Sequence, residues 1–280
     1  MAQEQRESML QWQSPEVAKH WQQEAEQRVP SMEEATRHML VSAHLKPGDR
    51  VLDIAAGTGD QSLLAARLVG PSGLVLSTDI SADMLQVAAS RAQQENLTNI
   101  RTQVMDAEQL ELDDETFDAA ICRNGLMLVP RLGQALSEIR RVLKPGRTLA
   151  ALVWSVPDRN PLHALPLALI AKYTGAGSAC SNDSNAPGPF SLADKRHFEQ
   201  VLADAGFRDV AIVPIPLQLH FASVEAFMES RRMLVASMFG RLSEPDQQRL
   251  EEEIQQVLSQ FEGPQGLVTS AETLLGVGTR

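Results

Sequence analysis

The chain has 280 residues, 43% of them hydrophobic and 22% charged. That length allows one large domain or two modest ones, and the apolar fraction suffices for a sizeable core, which excludes disorder and disulfide-stapled mini-domains. A balance of 36 acids against 25 lysines and arginines gives a net charge of −11, a poor basis for gripping nucleic acid or an anionic membrane, where concentrated Lys and Arg carry the affinity.

Residues 1–44 read as a helical arm. Ser14-Pro15 has the form of an N-cap followed by Pro at the first helical position, and Ser31-x-x-Glu34 has capping-box spacing. Nothing in Met1 to Gln13 resembles a secretory leader. Lys46-Pro47-Gly48 marks a turn, and the apolar run Val51 to Ala55 suits a buried strand. Ala56-Gly57-Thr58-Gly59 follows, and helical spacing resumes with Leu63, Leu64, Ala66 and Leu68. Further strands are predicted at Leu74 to Thr78, Ile100 to Met105, Phe117 to Cys122 and Thr148 to Trp154. Between them, Ser81 caps a helix carrying Met84, Leu85 and Val87. Another helix, carrying Leu132, Leu136 and Ile139, is closed by Lys144-Pro145-Gly146. This alternation predicts an α/β fold, a Rossmann-like, doubly wound, mostly parallel seven-stranded sheet with helices on both faces.

After Trp154 the prolines at 157, 161, 166, 187 and 189 interrupt the pattern, so 157–190 reads as a cap or linker segment. Its apolar stretch, Leu162 to Ala171, is broken by Pro166 and too short for a bilayer. Residues 191–280 complete the core. Ser191 is the expected N-cap of a helix to Ala205, and a strand follows from Val210 to Ile215. Two amphipathic helices are inserted within 223–261, at 223–239 and 244–261, the second capped by Ser243 with Pro245 just inside. The last segment, Ala271 to Thr279, is expected to be an edge strand. The expected division is an arm (1–44), a cofactor-binding core (45–156), a cap or linker (157–190) and the remainder of the core (191–280). Cys122 and Cys180 form no C-x-x-C pair, and with no span or leader a cytoplasmic protein, monomeric or homodimeric, is expected.

In an open parallel sheet, ligands bind beyond the carboxyl ends of the strands, where strand order reverses. Those ends carry Asp53 with the glycine-rich turn, Asp79, Asp106 and Arg123. Gly57 and Gly59 permit a sharp turn and the close approach of a ligand. A carboxylate at Asp79 can accept both hydroxyls of a ribose through charge-assisted bonds of roughly 1.5–3 kcal/mol each. Asp106 can accept from an adenine amino group while the Ala107 amide faces a ring nitrogen. These residues describe a nucleoside site. A dinucleotide site requires G-x-G-x-x-G, and a P-loop its Lys. Neither occurs here, and Asp60 would set a negative charge beside any phosphate. The turn suits the zwitterionic, cationic tail of S-adenosylmethionine instead.

The segment Val51 to Asp60 (VLDIAAGTGD) resembles the first motif of class I S-adenosylmethionine-dependent methyltransferases, in the D-x-A-x-G-T-G-D form of the ubiquinone/menaquinone biosynthesis type. Three further segments follow in that family's order over roughly residues 45–155. They are Ser77-Thr78-Asp79-Ile80-Ser81 with Met84-Leu85, then Asp106-Ala107-Glu108-x-Leu110 leading to Asp114-x-x-Phe117-Asp118, and Arg140 to Gly146. The resemblance implies S-adenosyl-L-methionine as cofactor, with Asp53, Gly57, Thr58 and Gly59 around its methionine portion. Asp79 would take the ribose, Asp106 and Ala107 the adenine, and Arg123 would sit beside the sulfonium, with Ile80 and Met84 also among the cofactor-binding residues. Ala55 stands where many relatives have Gly, and Arg123 is a large cation where small residues are common.

Plainer roles exist for some of these residues. Asp53 can hold the loop through backbone bonds, and Asp79 can complement a helix dipole. The six histidines show no metal spacing, so no metal is expected. His20, Asn160 and His163 lie in segments expected to cover the site and are the candidate substrate residues. Val224, Phe227, Met228, Leu234, Val235, Met238 and Phe239 form a helical stripe, either a packing face or a greasy substrate wall. Methyl transfer from a sulfonium is an in-line displacement that rests on positioning, so no catalytic constellation need appear. Asn124-Gly125-Leu126-Met127 lacks the [D/N]-P-P-[Y/F] run of DNA amine methylators, and Ile121-Cys122 is not the Pro-Cys of pyrimidine C5 enzymes. The expected acceptor is a small lipophilic or aromatic metabolite, methylated on O, N or C. An NAD(P)-dependent Rossmann reductase and a non-catalytic S-adenosylmethionine-binding protein are the alternatives.

Overall fold

The computed structural model describes residues 11–175, 186–240 and 242–280, apart from some side chains in helices, among them those of 26–28 and 233–238. Cys180, the polar stretch Ser178 to Asn185 and the side chains of Leu234, Val235 and Met238 therefore lie outside the described residues.

The short apolar runs become strands close to where the sequence puts them: β1 (Arg50–Ile54), β2 (Leu74–Asp79), β3 (Ile100–Val104), β4 (Phe117–Arg123) and β5 (Leu143–Trp154). They pair in parallel in the order β3-β2-β1-β4-β5. The central strands are buried on both sides, which is why they read as unbroken apolar runs and not as alternations. Strand order reverses between β1 and β4, opening a crevice at their C-terminal ends.

Helices alternate with these strands: α1 (Pro15–Gln23), α2 (Ala25–Ser42), α3 (Asp60–Val69), α4 (Ala82–Gln94) and α5 (Leu132–Val142). The later helices are α6 (Pro161–Thr174), α7 (Lys195–Asp204), α8 (Val224–Phe239) and α9 (Glu244–Ser259). The remaining strands are β6 (Arg208–Phe221), β7 (Glu262–Gly263) and β8 (Gly266–Thr279). Helices α2, α3 and α4 cover one face of the sheet, while α5 and α7 cover the other over β5, β6 and β8. The expected helical cover on both faces is therefore incomplete. Between β3 and β4, residues 105–116 make turns and no helix, and a groove of about 480 Å³ bounded by Arg50, Leu74, Leu76 and Phe117 remains there.

Several local expectations need correction. The sheet has eight strands, not seven, because the two-residue β7 pairs with β8. Segment 271–279 is no edge strand. It belongs to β8, which lies antiparallel between β5 and β6. Gly276 and Gly278 permit this: a Cβ at either would come within 2.5 Å of the Phe198 ring or 2.9 Å of Phe207 Cβ. The edge falls to β6, where Pro214 and Pro216 forfeit no second ladder. Ser31 and Glu34 sit inside α2, so their spacing marks no helix start. Ser14 donates its hydroxyl to Glu16 at 2.5 Å instead of capping a backbone amide. The cap of α7 is Asp194, which accepts from the His197 amide at 2.7 Å, while Ser191 donates to the Met127 carbonyl at 2.8 Å. Segment 157–190 contains α6 despite Pro166. Pro161 occupies its first turn, and the helix packs against α8, α9 and β8. Ser81 and Ser243 cap α4 and α9 as expected. Among the described residues, no helix is long and apolar enough to cross a membrane.

Candidate active site

The turn after β1 lies in left-handed backbone space, with φ of +51° at Ala55, +56° at Gly57 and +83° at Gly59. Gly59 has a second constraint, since a Cβ there would lie 2.9 Å from Ala88 Cβ on α4. Loop and helix meet without a side chain between them, and the backbone is left bare toward the crevice. Gly125 does the same on the other side, because its Cβ would lie 2.5 Å from Ala55 Cβ and 2.9 Å from Cys122 Sγ. Sequence reasoning missed Gly125, and only the Asn124-Gly125 turn signal after β4 hinted at it.

Each acid of this cradle has partners. Asp53 is fully buried at the end of β1 and accepts from Gln61 Nε2 at 3.0 Å and from the Ser62 hydroxyl. Ser77 donates to Ser62 in turn at 2.8 Å. Burial raises the Asp53 pKa to about 7, against the hydrogen bonds from Ser62 and Gln61 and the charge of Arg123. Asp79, at the end of β2, accepts the Gly57 amide at 2.9 Å and the Ser81 amide at 3.0 Å. Burial pushes its pKa up, and these amides oppose the shift. Ile80 is half-buried beside it. Asp106 is exposed after β3 and accepts the Glu108 amide at 2.9 Å, with Ala107 half-buried next to it.

Asp60 departs from the expectation placed on it. Its carboxylate is held by Arg91 Nη1 at 2.5 Å and Arg123 Nη2 at 2.6 Å, so it presents no free negative charge to the crevice. Arg91, which also donates to the Thr58 carbonyl at 2.7 Å, was not singled out from the sequence. Arg123 completes its contacts on Thr36 Oγ1 of α2 at 3.1 Å. It thereby ties the arm to the end of β4. Cys122 is buried and its thiol is pushed up to about 12 by burial, which makes it inert.

The arm lies over the cradle. Val17 and Ala18 of α1 bury against Met84 of α4, with Trp12 and Trp21 packed around them. Trp12 and Trp21 meet edge to face at 5.6 Å, and Trp21 Nε1 lies 3.8 Å from where a Gly57 Cβ would stand. Met84 is thus committed to the arm. His20 Nε2 donates to the Ser230 carbonyl of α8 at 2.8 Å and lies 3.5 Å from Glu24 Oε1. Asn160 is fully buried and its amide is spent on backbone: it donates to the Ser155, Val156 and Glu272 carbonyls and accepts the Glu272 amide at 3.0 Å. His163 stacks on Trp154 with centroids 4.3 Å apart, and burial with the nearby Arg231 charge lowers its pKa to about 3. It is a neutral imidazole at physiological pH. Among the described residues, no cluster of His, Cys, Asp and Glu can hold a metal.

The bare, left-handed glycine turn, the carboxylates closing β1 and β2 and the acceptor at Asp106 fit a nucleoside whose tail runs along the β1 turn. A family model described as a methyltransferase domain matches residues 45–206. The ubiquinone/menaquinone biosynthesis C-methyltransferase UbiE of Azotobacter vinelandii is 37% identical over 181 residues, 62% of this chain and 72% of that protein. The crystal structure of the Bacillus subtilis YcgJ protein shares the fold with a TM-score of 0.59 at 18% identity, over 89% of this chain and 98% of that one. The Haemonchus contortus phosphoethanolamine N-methyltransferase 2, in complex with S-adenosyl-L-methionine, shares it with a TM-score of 0.53 at 18% identity, over 88% and 52%. The chain belongs to the class I S-adenosylmethionine-dependent methyltransferases, with S-adenosyl-L-methionine as its cofactor.

Proposed function

We propose that this methyltransferase alkylates a small, planar, lipophilic hydroxy-aromatic acceptor, at a ring carbon. One observation carries the acceptor class. Beyond the cradle, aromatic rings meet between the sheet and the later helices: Trp154 of β5 stacks with His163 of α6, and Phe221 of β6 meets Phe227 of α8 edge to face at 5.0 Å. The carbon assignment is supported by likeness to UbiE, whose name describes C-methylation in quinone biosynthesis.

When bound, S-adenosyl-L-methionine supplies an electrophilic methyl group on a sulfonium. The residues of this chain orient and exclude water. Asp79 holds the glycine turn through the Gly57 amide and keeps acceptor capacity for ribose hydroxyls. Asp53 shapes the turn from beneath, and Asp106 with Ala107 takes the base. Arg123 and Arg91 fix the turn through Asp60. Helices α1 and α2 of the arm, with α6, α8 and α9, form the cover over the site. A dry aromatic wall suits the transfer because charge is dispersed or neutralised as the methyl moves, so positioning supplies most of the rate.

Incubation with methyl-labelled S-adenosylmethionine tests this, using hydroxylated aromatics with and without alkyl tails beside a set of amines. Label on a ring carbon, placed by NMR, is the expected result. Label only on oxygen overturns the carbon assignment, and label only on amines overturns the acceptor class.

A further inference from the structure

Arg231 of α8 is a cation set deep in the protein with no hydrogen bond or ion pair among the described residues. Its Nε is buried without a partner. Its guanidinium rests against the rings of Phe221 and Phe227, with Cζ 5.8 and 5.5 Å from their centroids. Glu24 is the carboxylate within electrostatic reach. It forms no ion pair with Arg231, and its own Oε1 is buried without a hydrogen-bond partner. Taking a guanidinium out of water costs far more than two aromatic faces return, so proteins rarely leave one without an oxygen partner. Both Arg231 and His163 keep part of their surface accessible, so open space adjoins them.

The surroundings define that space. Trp154, Thr273, Thr269 and Phe221 lie on one face of the sheet, since Trp154 pairs with Thr273, Leu219 with Thr269 and Phe221 with Leu267. Helices α6 and α8 close down on β8, bringing His163 and Arg231. The hydroxyls of Thr269 and Thr273 and the Nδ1 of His163 are buried without hydrogen-bond partners. A wall of flat rings, one unpaired cation and three unsatisfied neutral groups describes a socket for a planar molecule bearing an anionic oxygen.

We infer that Arg231 is the anion-recognising residue of the acceptor pocket, which takes a planar acceptor through a carboxylate or an ionised hydroxyl, with His163 alongside. This inference rests on the acceptor reading above and narrows it. The cofactor's methionine carboxylate is the competing source of an anionic oxygen. S-adenosylhomocysteine affinity in the Arg231 variants separates the two sources. An ionised hydroxyl also suits the chemistry: as the ring carbon–methyl bond forms and the sulfur–methyl bond breaks, sulfonium and phenolate charges are consumed together, and the dienone formed regains aromaticity by losing its ring proton to solvent.

Binding tests the assignment without turnover. The full chain, saturated with S-adenosylhomocysteine, is titrated with 4-nitrophenolate and benzoate, and with 4-nitroanisole and benzamide as their neutral counterparts. The wild-type protein is expected to prefer each anion by about ten- to a hundredfold. Arg231→Met erases that preference and Arg231→Lys keeps part of it, while S-adenosylhomocysteine binds equally to all three. Equal affinity for anion and neutral counterpart in the wild type overturns the inference, as does an undiminished preference in Arg231→Met. A fall in S-adenosylhomocysteine affinity in Arg231→Met gives the guanidinium to the cofactor and also overturns it. If Arg231→Met does not fold, the wild-type pairs decide alone. Failure of methyl transfer in the aromatic panel sinks the acceptor reading and leaves the anion preference intact, so the two failures are distinct.

Discussion

The two sides of the crevice are built on opposite terms. On the cofactor side, Asp53, Asp60 and Asp79 each engage two donors from the protein itself. On the proposed acceptor side, His163, Arg231, Thr269 and Thr273 each keep a buried polar atom without a hydrogen-bond partner. Native interiors leave few such atoms. The first region is a preorganised socket whose shape is fixed before any ligand arrives. The second is completed only by what enters it.

If that contrast holds, damage to the cofactor side costs stability and damage to the acceptor side costs turnover. The largest effect is expected for Asp60→Ala, which leaves Arg91 and Arg123 (19% and 8% exposed) without their shared counter-charge. Removing one partner of such a buried pair costs about 3–5 kcal/mol, read as a lower denaturation midpoint. A loss below about 1 kcal/mol would mean the acidic turn is not a fixed socket.

Asp53 follows, through pH. Its carboxyl ionises at the ordinary 3.8 when unfolded but near 7 when buried. Between those values the folded state holds one more proton than the unfolded state, so stability falls as pH rises from about 4 to about 7 and is level above. Asp53→Asn removes that descent, so the wild-type-minus-variant difference in urea midpoints is expected to fall across pH 5, 6 and 7 and to level off at pH 8. Parallel curves would show that Asp53 is ionised throughout.

For Asp79→Ala, loss of a carboxylate able to meet ribose hydroxyls is expected to weaken S-adenosylhomocysteine about a hundredfold by calorimetry. Unchanged affinity would assign Asp79 to the loop alone. His163→Phe inverts the pattern. Replacing a buried imidazole that lacks a partner at Nδ1 with a ring that can still stack on Trp154 is expected to raise stability by about 1 kcal/mol while lowering turnover of a hydroxy-aromatic acceptor. A variant less stable than the wild type would indicate that Nδ1 is satisfied in solution. The smallest effect is at Lys172, whose pair with Glu253 at 3.0 Å joins α6 to α9 at the surface. Lys172→Ala is expected to shift stability by less than about 0.5 kcal/mol.

The same contrast explains what could be read in the sequence. The β1–β5 core and the cradle are local: Val51 to Asp60 holds a strand, a turn and a helix start in ten consecutive residues, and backbone geometry dictates their types. Arg91 escaped notice because it reaches Asp60 from 31 positions away. The acceptor side is wholly non-local. Trp154, His163, Phe221, Arg231 and Thr273 come from five elements, and no spacing between them carries a signal. Composition misled in places as well. Proline in 157–190 masked α6, because Pro161 sits where a helix tolerates it and tertiary packing overrides Pro166. The apolar 271–279 run suits an edge or an interior strand equally, and only the Phe198 and Phe207 rings over Gly276 and Gly278 decide between them.

The position of β8 bears on how the molecule is made. A ribosome delivers β1 to β5 first, and these can assemble in order because each new strand finds its neighbour already present. β6 cannot join them: its place beside β5 is taken by a strand synthesised 45 residues after β6 has ended. Throughout that interval the nascent chain carries an unpaired, strongly apolar β5 edge and a fourteen-residue β6 without a strand partner, both templates for pairing with other chains. Synthesis of this enzyme thus contains a vulnerable window that closes only with β8, and slow translation through 222–279 would lengthen it.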